Sequence, residues 1–323
     1  LFIGFILFLS KLVYTAVVEA LPVNGGAYNC LLNGTSKTIA AVAGITTFLS
    51  YIATAVISAK VGVEYLSTII PHTWVAGTHP FIIPGTVILL GIFAVLVISG
   101  IKDSARVALG IFIFHIASLI TFIVFGTFYY LNGNMHFIEN ITQTGKIITD
   151  QGGLLPALYL AFAASLLGVS GFESSANFVE EQKQGVFRKT LRNMLIGVVI
   201  FNPLIALVVL NSLSFEAISQ TKDFLLSVAA KEIGGTLLQY IIAIDAFLVL
   251  SGAVLTSYVG VSGLLNRMAG DNCLPILLRK ENKNGAFPRI VILFFILCSS
   301  ILILTRGNLL SLAGVYTIAF LSV

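Results

Sequence analysis

A short stretch of the chain between residues 167 and 173 carries the groups best suited to bind a small polar solute. Two glycines, a serine and a carboxylate follow one another closely there, in the order Leu167, Gly168, Val169, Ser170, Gly171, Phe172 and Glu173. A membrane helix that unwinds at such glycines frees carbonyl and amide groups that can hold the charged ends of a zwitterion. A packing seam of small residues is the alternative. Glu173 favours the binding site, because a carboxylate within a membrane is costly and usually functional.

A single histidine, His115, lies within an otherwise apolar run and is a candidate for proton coupling. Imidazole titrates near neutral pH, so this side chain could take up a proton on one side of a membrane and release it on the other. The alternative is a core histidine that donates to a backbone carbonyl group.

Four other charged residues fall within apolar segments, and we rank them below Glu173 as functional candidates. Lys60 and Glu64 are four positions apart, so they would share one helix face and could satisfy each other near its outer end. Asp245 is expected near the outer boundary of its segment, and the depth of Lys11 is left open.

The composition indicates that these residues lie in a membrane protein. Of the 323 residues, 57% are hydrophobic and only 10% are charged, with a mean hydropathy of +1.01. A soluble fold could not cover so much apolar surface. The net charge of +4 is small and scattered, which argues against a nucleic-acid partner. The three cysteines are far apart and lack the spacing of metal ligands.

Nine segments are apolar enough to be predicted as membrane-spanning helices. They are residues 1–21, 38–66, 81–100, 106–131, 154–181, 190–213, 237–266, 287–304 and 308–323. Both ends of the chain fall inside apolar runs, so we expect it to be an internal piece of a longer protein.

The distribution of basic residues predicts the orientation of these helices. If the loop after the first span is cytoplasmic and the loops alternate, 12 of the 18 Lys and Arg residues lie in cytoplasmic loops and 4 in outer loops. The longest outer loop then covers residues 132–153 and contains the triplet Asn140-Ile141-Thr142, a pattern for N-glycosylation.

Four motifs, taken together, resemble those of the amino acid–polyamine–organocation (APC) superfamily of permeases. They are Leu21-Pro22 with Gly25-Gly26-Ala27-Tyr28, the turn Ile101–Val107, the sequence Gly171-Phe172-Glu173, and the basic segment Asn266–Pro275. Each motif alone is weak, but all four occur in order and at suitable spacing along the chain.

The resemblance implies an all-α membrane protein with the inverted-repeat (LeuT-like) fold. Residues 1–323 would form one polytopic domain, with 1–131 as the rest of the first repeat, 132–153 as an extracellular loop and 154–323 as the second repeat. The nine spans would correspond to the family's second through tenth, so the family's first span and its C-terminal spans would be missing.

The resemblance also implies roles for further residues. Leu167 occupies the position of an aromatic gate, and Ser50 and Tyr51 match a substrate-lining helix. His115 occupies the position of a lysine that replaces a sodium ion in proton-coupled members. Hydroxyl groups that could bind sodium or the solute come from Ser251, Thr256 and Ser257. The alternative for these hydroxyls is a hydrogen bond to their own helix.

The sequence therefore predicts a secondary active transporter that moves amino acids across the plasma membrane by alternating access, coupled to H⁺ or Na⁺. A carrier of polyamines or ethanolamine-like amines is the alternative, because Glu173 could counter a cation. An ion channel would need a repeated filter or rings of like charge, and an enzyme a nucleophile–base or metal constellation, none of which is visible. No cofactor is expected, and the oligomeric state is left open.

Overall fold

The computed structural model describes residues 2–70, 78–100, 105–133, 136–150, 152–166, 175–176, 179, 182–183 and 185–322. Within these ranges the chain forms helices and no strand, which confirms the predicted all-α class. The helices are α1 (Phe2–Ala20), α2 (Gly26–Gly34), α3 (Lys37–Ser67), α4 (Thr78–Ile98), α5 (Ala105–Leu131), α6 (Phe137–Asp150), α7 (Leu154–Leu166), α8 (Val186–Ser212), α9 (Phe215–Gln220), α10 (Leu225–Gly270), α11 (Pro288–Leu304) and α12 (Leu309–Leu321).

Five of the helices are long and apolar enough to cross a membrane. They lie at Lys37–Ser67, Phe81–Ile98, Arg106–Leu131, Val186–Ser212 and Leu225–Gly270, close to five of the predicted spans. The other four predicted spans correspond to α1, α7, α11 and α12, so the count of nine stays a prediction. Many large apolar side chains on these helices are exposed, as expected for surfaces that contact lipid.

Helix α3 forms the centre of the fold and packs against α2, α4, α10, α11 and α12. Small residues allow this close packing, because they let two helix backbones approach each other. A Cβ atom added to Gly260 of α10, for example, would lie 2.6 Å from the ring of Tyr51 in α3. Buried residues therefore occur along nearly the whole of α3.

Loops that are predicted on the same side of the membrane contact each other in the structure. On the predicted inner side, the hydroxyl group of Tyr28 donates to Asp271 (3.1 Å) and the amide of Asn282 donates to the carbonyl of Ile98 (2.7 Å). On the predicted outer side, the hydroxyl groups of Thr68 and Ser227 lie 2.7 Å apart. These contacts agree with alternating spans, while the absolute orientation and the two inverted repeats, 1–131 and 154–323, stay predictions.

Helix α10 is interrupted near its start by Gly235. Its backbone angles (φ 70°, ψ −167°) are ones that other residues rarely adopt, so the chain changes direction there. The part before Gly235 belongs to the outer connection, and the part after it is the span, which agrees with the predicted start at residue 237.

The predicted outer loop 132–153 contains helix α6, and the asparagine of its glycosylation pattern, Asn140, is buried in the fold. Asn140 is 1% exposed, and its side-chain nitrogen donates to the carbonyl groups of Leu210 and Leu213, both at 2.8 Å. A glycan at Asn140 is therefore incompatible with the folded chain, because the nitrogen atom that would carry it is buried and hydrogen-bonded.

Candidate transport site

A cavity of about 500 Å³ lies between α1, α2 and α3. This volume is within the range of small-molecule binding sites. Most of the lining residues are apolar, and the polar ones are Ser10, Tyr14, Asn29, Thr47 and Ser50. The cavity thus combines an apolar wall with a few polar groups.

Ser50, one of the predicted substrate-binding residues, lies on the wall of this cavity. It is 3% exposed, and within the described chain its hydroxyl oxygen has no hydrogen-bond partner. Asn29 on the opposite helix also has a buried side-chain oxygen without a partner in that part of the chain. A buried polar atom without a partner costs free energy, so a polar ligand that bonds to it would gain affinity.

The predicted binding stretch, residues 167–173, lies outside the described residues, but both of its flanks are described. On one side, helix α7 (Leu154–Leu166) is described up to this stretch, and on the other side Ser175 and Ala176 are buried. Ala176 lines the same cavity as Ser50. The side-chain amide of Gln182 donates to the carbonyl of Ser175 at 2.9 Å and helps to hold this flank. The binding role of Gly168 to Glu173 and of Leu167 stays a prediction.

Tyr51, the other predicted residue of α3, lies away from the cavity. It is 2% exposed, and its ring packs against Gly260 of α10. Adjacent residues of a helix point in different directions, so Ser50 and Tyr51 cannot share one wall. A direct contact between Tyr51 and a solute stays a prediction.

His115 forms a contact that the sequence analysis did not predict. Its Nδ1 atom lies 2.9 Å from Oδ2 of Asp245, which joins α5 to α10. The Asp245 side chain is 3% exposed and that of His115 is 31% exposed. The other carboxylate oxygen of Asp245 is buried and has no hydrogen-bond partner among the described residues. The pair can therefore bind one proton between an imidazole and a carboxylate.

This contact corrects the expected depth of Asp245. We expected the residue near the outer boundary, but it reaches His115, which lies well inside α5. An acidic residue within a predicted span was the signal available in the sequence. Its partner is 130 residues away, and no local pattern could identify that partner.

The three predicted hydroxyl ligands of α10 differ in their bonding. Thr256 donates to the carbonyl of Gly252 (2.9 Å) and Ser257 donates to that of Ala253 (2.8 Å), so both bond to their own helix. The buried hydroxyl of Ser251 has no hydrogen-bond partner in the described ranges. Of the three, Ser251 is therefore best placed to bind an ion, and that role stays a prediction.

Two of the four motifs that resemble those of the APC superfamily contact each other on the predicted inner side of the bundle. Tyr28 is fully buried; its hydroxyl donates to Asp271 and lies 3.4 Å from the sulfur of Cys273. Burial, followed by the neighbouring Cys273 and Asp271, raises the pKa of Tyr28 well above its usual value. The hydroxyl therefore remains protonated and acts as a donor at physiological pH.

The sequence as a whole identifies the kind of protein that builds this site. It matches the amino acid permease family over residues 1–323, the full length of the chain. The chain belongs to the amino acid permease family. The chain is accordingly an integral, multi-pass membrane protein of the APC superfamily. This confirms the resemblance that the four motifs indicated.

The chain is also similar to a potassium transporter. Over 310 residues it is 22% identical to the potassium transporter KimA of Bacillus subtilis (strain 168). The match covers 95% of this chain and 50% of KimA, so the chain spans about half the length of this curated relative.

Proposed function

We propose that the full-length protein is a secondary active transporter that moves an amino acid across the plasma membrane by alternating access. The observation that carries this proposal is the shared cavity. Ser50 is one of the predicted substrate-binding residues, Ala176 follows the predicted binding stretch 167–173 by three positions, and both line the cavity. A solute in this cavity would contact the end of the predicted break as well as α3.

In the proposed mechanism, backbone groups at Gly168–Gly171 and the hydroxyl of Ser50 hold the charged ends of the amino acid. The apolar wall formed by α1 and α2 contacts its side chain. Rocking of the helices then exposes the cavity to each side of the membrane in turn.

We further propose that protons drive this transport through the His115–Asp245 pair. A protonated imidazole neutralises the buried carboxylate, whereas a neutral imidazole leaves a buried charge without compensation, which is costly. Gain and loss of the proton would therefore change the contact between α5 and α10. Binding of sodium near Ser251 is the alternative way in which an ion gradient could drive transport.

The test is uptake of labelled amino acids into proteoliposomes that contain the full-length protein. We expect accumulation when an inward proton gradient is imposed, and little accumulation without a gradient. A sodium gradient at equal pH on both sides is the matched control. Accumulation with the sodium gradient but not with the proton gradient would show that sodium, and not the proton, is the coupling ion. Absence of amino acid uptake under all these conditions would disprove the proposal.

A cation is the second candidate substrate, supported by the similarity to KimA and by the buried carboxylate of Asp245. The same proteoliposomes distinguish the two candidates. Uptake of potassium, followed with rubidium as a tracer, or of a polyamine or ethanolamine, with no uptake of amino acids, would favour the cation.

A further inference from the structure

A buried cluster of three charged side chains lies at the outer end of α3, apart from the cavity. The ammonium group of Lys60 is 2.7 Å from Oε1 of Glu64 and 2.7 Å from Oδ2 of Asp223. Asp223 belongs to the connection between α9 and α10. The stem of Lys60 packs against Gly307 in the turn between α11 and α12, where an added Cβ would lie 3.3 Å from the stem. The cluster therefore joins three outer segments.

The cluster contains one positive charge and two carboxylates. Lys60 and Glu64 are 6% and 9% exposed, and the Asp223 side chain is 25% exposed. Oε2 of Glu64 and Oδ1 of Asp223 are buried and have no hydrogen-bond partner among the described residues. If all three groups are ionised, one negative charge remains buried without compensation, which is costly. The three ionised groups together would carry a net charge of −1, which one monovalent cation would balance.

Neighbouring elements do not supply this cation in the described part of the chain. The ionisable side chains on helices that pack against α3 are Tyr28 and Cys30 of α2, Arg289 and Cys298 of α11, Tyr316 of α12, and Lys231, Glu232, Tyr240, Asp245, Tyr258 and Arg267 of α10, together with His79 at the start of α4, whose side chain lies outside the described part of the chain. Lys222 and Arg306 are next to cluster residues in sequence. Within the described ranges, no further cationic side chain forms an ion pair with the three residues.

The same end of α3 also holds the first turn of α10, directly after the α9–α10 connection, through neutral hydrogen bonds. The backbone amide of Leu226 donates to the hydroxyl of Tyr65 (3.4 Å), and the hydroxyl groups of Thr68 and Ser227 are 2.7 Å apart. These bonds do not depend on the charge of the cluster. The contact between Lys60 and Asp223 does depend on it.

Glu64 controls the strength of that contact. An ionised Glu64 competes for Lys60, its partner four residues away on the same helix, and repels the carboxylate of Asp223. When Glu64 binds a cation, the competition and the repulsion both end, and Lys60 pairs with Asp223 alone.

We propose that this cluster is an outer binding site for one monovalent cation, either a proton or an alkali-metal ion, held by Glu64. Occupancy of the site fastens the α9–α10 connection onto α3, and its loss releases the connection. This inference does not depend on the transported solute, because binding takes place without substrate.

The experiment measures a distance between two spin labels in the full-length protein in lipid nanodiscs without substrate. One label is attached at Gln220→Cys, at the end of α9, and the other at Leu304→Cys, at the exposed outer end of α11. The pH is varied in buffers that contain potassium, sodium or only a large organic cation. We expect a narrow distance distribution at low pH that broadens at high pH. Narrowing by potassium or sodium at high pH would identify the alkali-metal ion as ligand.

The variant Glu64→Gln mimics the neutral state, so its distribution should stay narrow under every condition. Glu139→Gln removes an exposed carboxylate on α6 and is the matched control, which should behave as the parent protein. Asp223→Asn removes the ion pair and should give a broad distribution throughout. A parent distribution that responds to neither pH nor alkali-metal ions would overturn the proposal, and so would a response that persists in Glu64→Gln or in Asp223→Asn.

Discussion

The side chains of His115 and Asp245 show how a single proton can change the energetics of this fold. Asp245 is almost fully buried, and one of its oxygens depends on His115 for a partner. With a proton on the imidazole the pair is neutral overall, and without it a carboxylate stays buried. In the proposed mechanism, the proton on this pair would therefore favour the contact between α5 and α10 that the structure shows.

We expect His115→Gln and Asp245→Asn to reduce proton-driven accumulation by at least about fivefold, the lower range of typical coupling between two sites. Both substitutions preserve a hydrogen-bonding side chain but remove the imidazole or the carboxylate. Exchange of labelled for unlabelled solute without a gradient should persist, because it needs no net proton movement. Accumulation and exchange are measured in the same proteoliposomes.

His136→Gln is the control for this experiment, since His136 pairs with an exposed glutamate outside the spans. It should leave accumulation unchanged. If His115→Gln accumulates solute as well as His136→Gln does, His115 is not the coupling residue.

Between elements, the contact of α3 with α10 depends on glycine. Tyr51 of α3 is buried against Gly260, and the ring leaves no space for a methyl group at that position. Gly252, two turns earlier in α10, has open space around its Cα atom in the described structure. Of these two glycines, Gly260 is therefore required for packing and Gly252 is not.

We expect Gly260→Ala to lower the free energy of unfolding by about 1–3 kcal/mol, as is typical of an overpacked core. Gly252→Ala should have no effect or a small stabilising one, because alanine favours a helix more than glycine does. Thermal unfolding of the full-length protein in detergent measures both. Equal midpoints for the two variants would contradict the packing around Tyr51.

The sequence was sufficient to predict the elements but not their contacts. Hydropathy located the long spans, because each span must be apolar over its own length. Helix α6 was expected only as a loop, since a short polar segment gives no spanning signal. The partner of His115 and the third member of the Lys60 cluster could not be predicted, because these contacts join positions 130 and 163 residues apart.

For the molecule as a whole, contacts between loops agree with the charge distribution. Inner loops meet at Tyr28 and Asp271, and outer segments meet at Lys60 and Asp223. Since cytoplasmic loops of membrane proteins carry the excess of basic residues, the side that contains Tyr28 should face the cytoplasm.

Labelling of intact cells with a membrane-impermeant maleimide tests this orientation. Lys146→Cys in α6 and Lys280→Cys after α10 both place a thiol at an exposed position in the full-length protein. We expect Lys146→Cys to react in intact cells and Lys280→Cys to react only after permeabilisation. The unsubstituted protein is the control for its own cysteines, and the reverse pattern would invert the topology.

The hydrogen bonds of the Asn140 side chain have a consequence for any chain that carries a carbohydrate at this residue. Its amide nitrogen is shared between two carbonyl groups at the end of α8, so a carbohydrate could be attached only before α6 docks there. Once attached, the sugar would prevent docking. A carbohydrate on this residue would therefore mark chains whose assembly had failed.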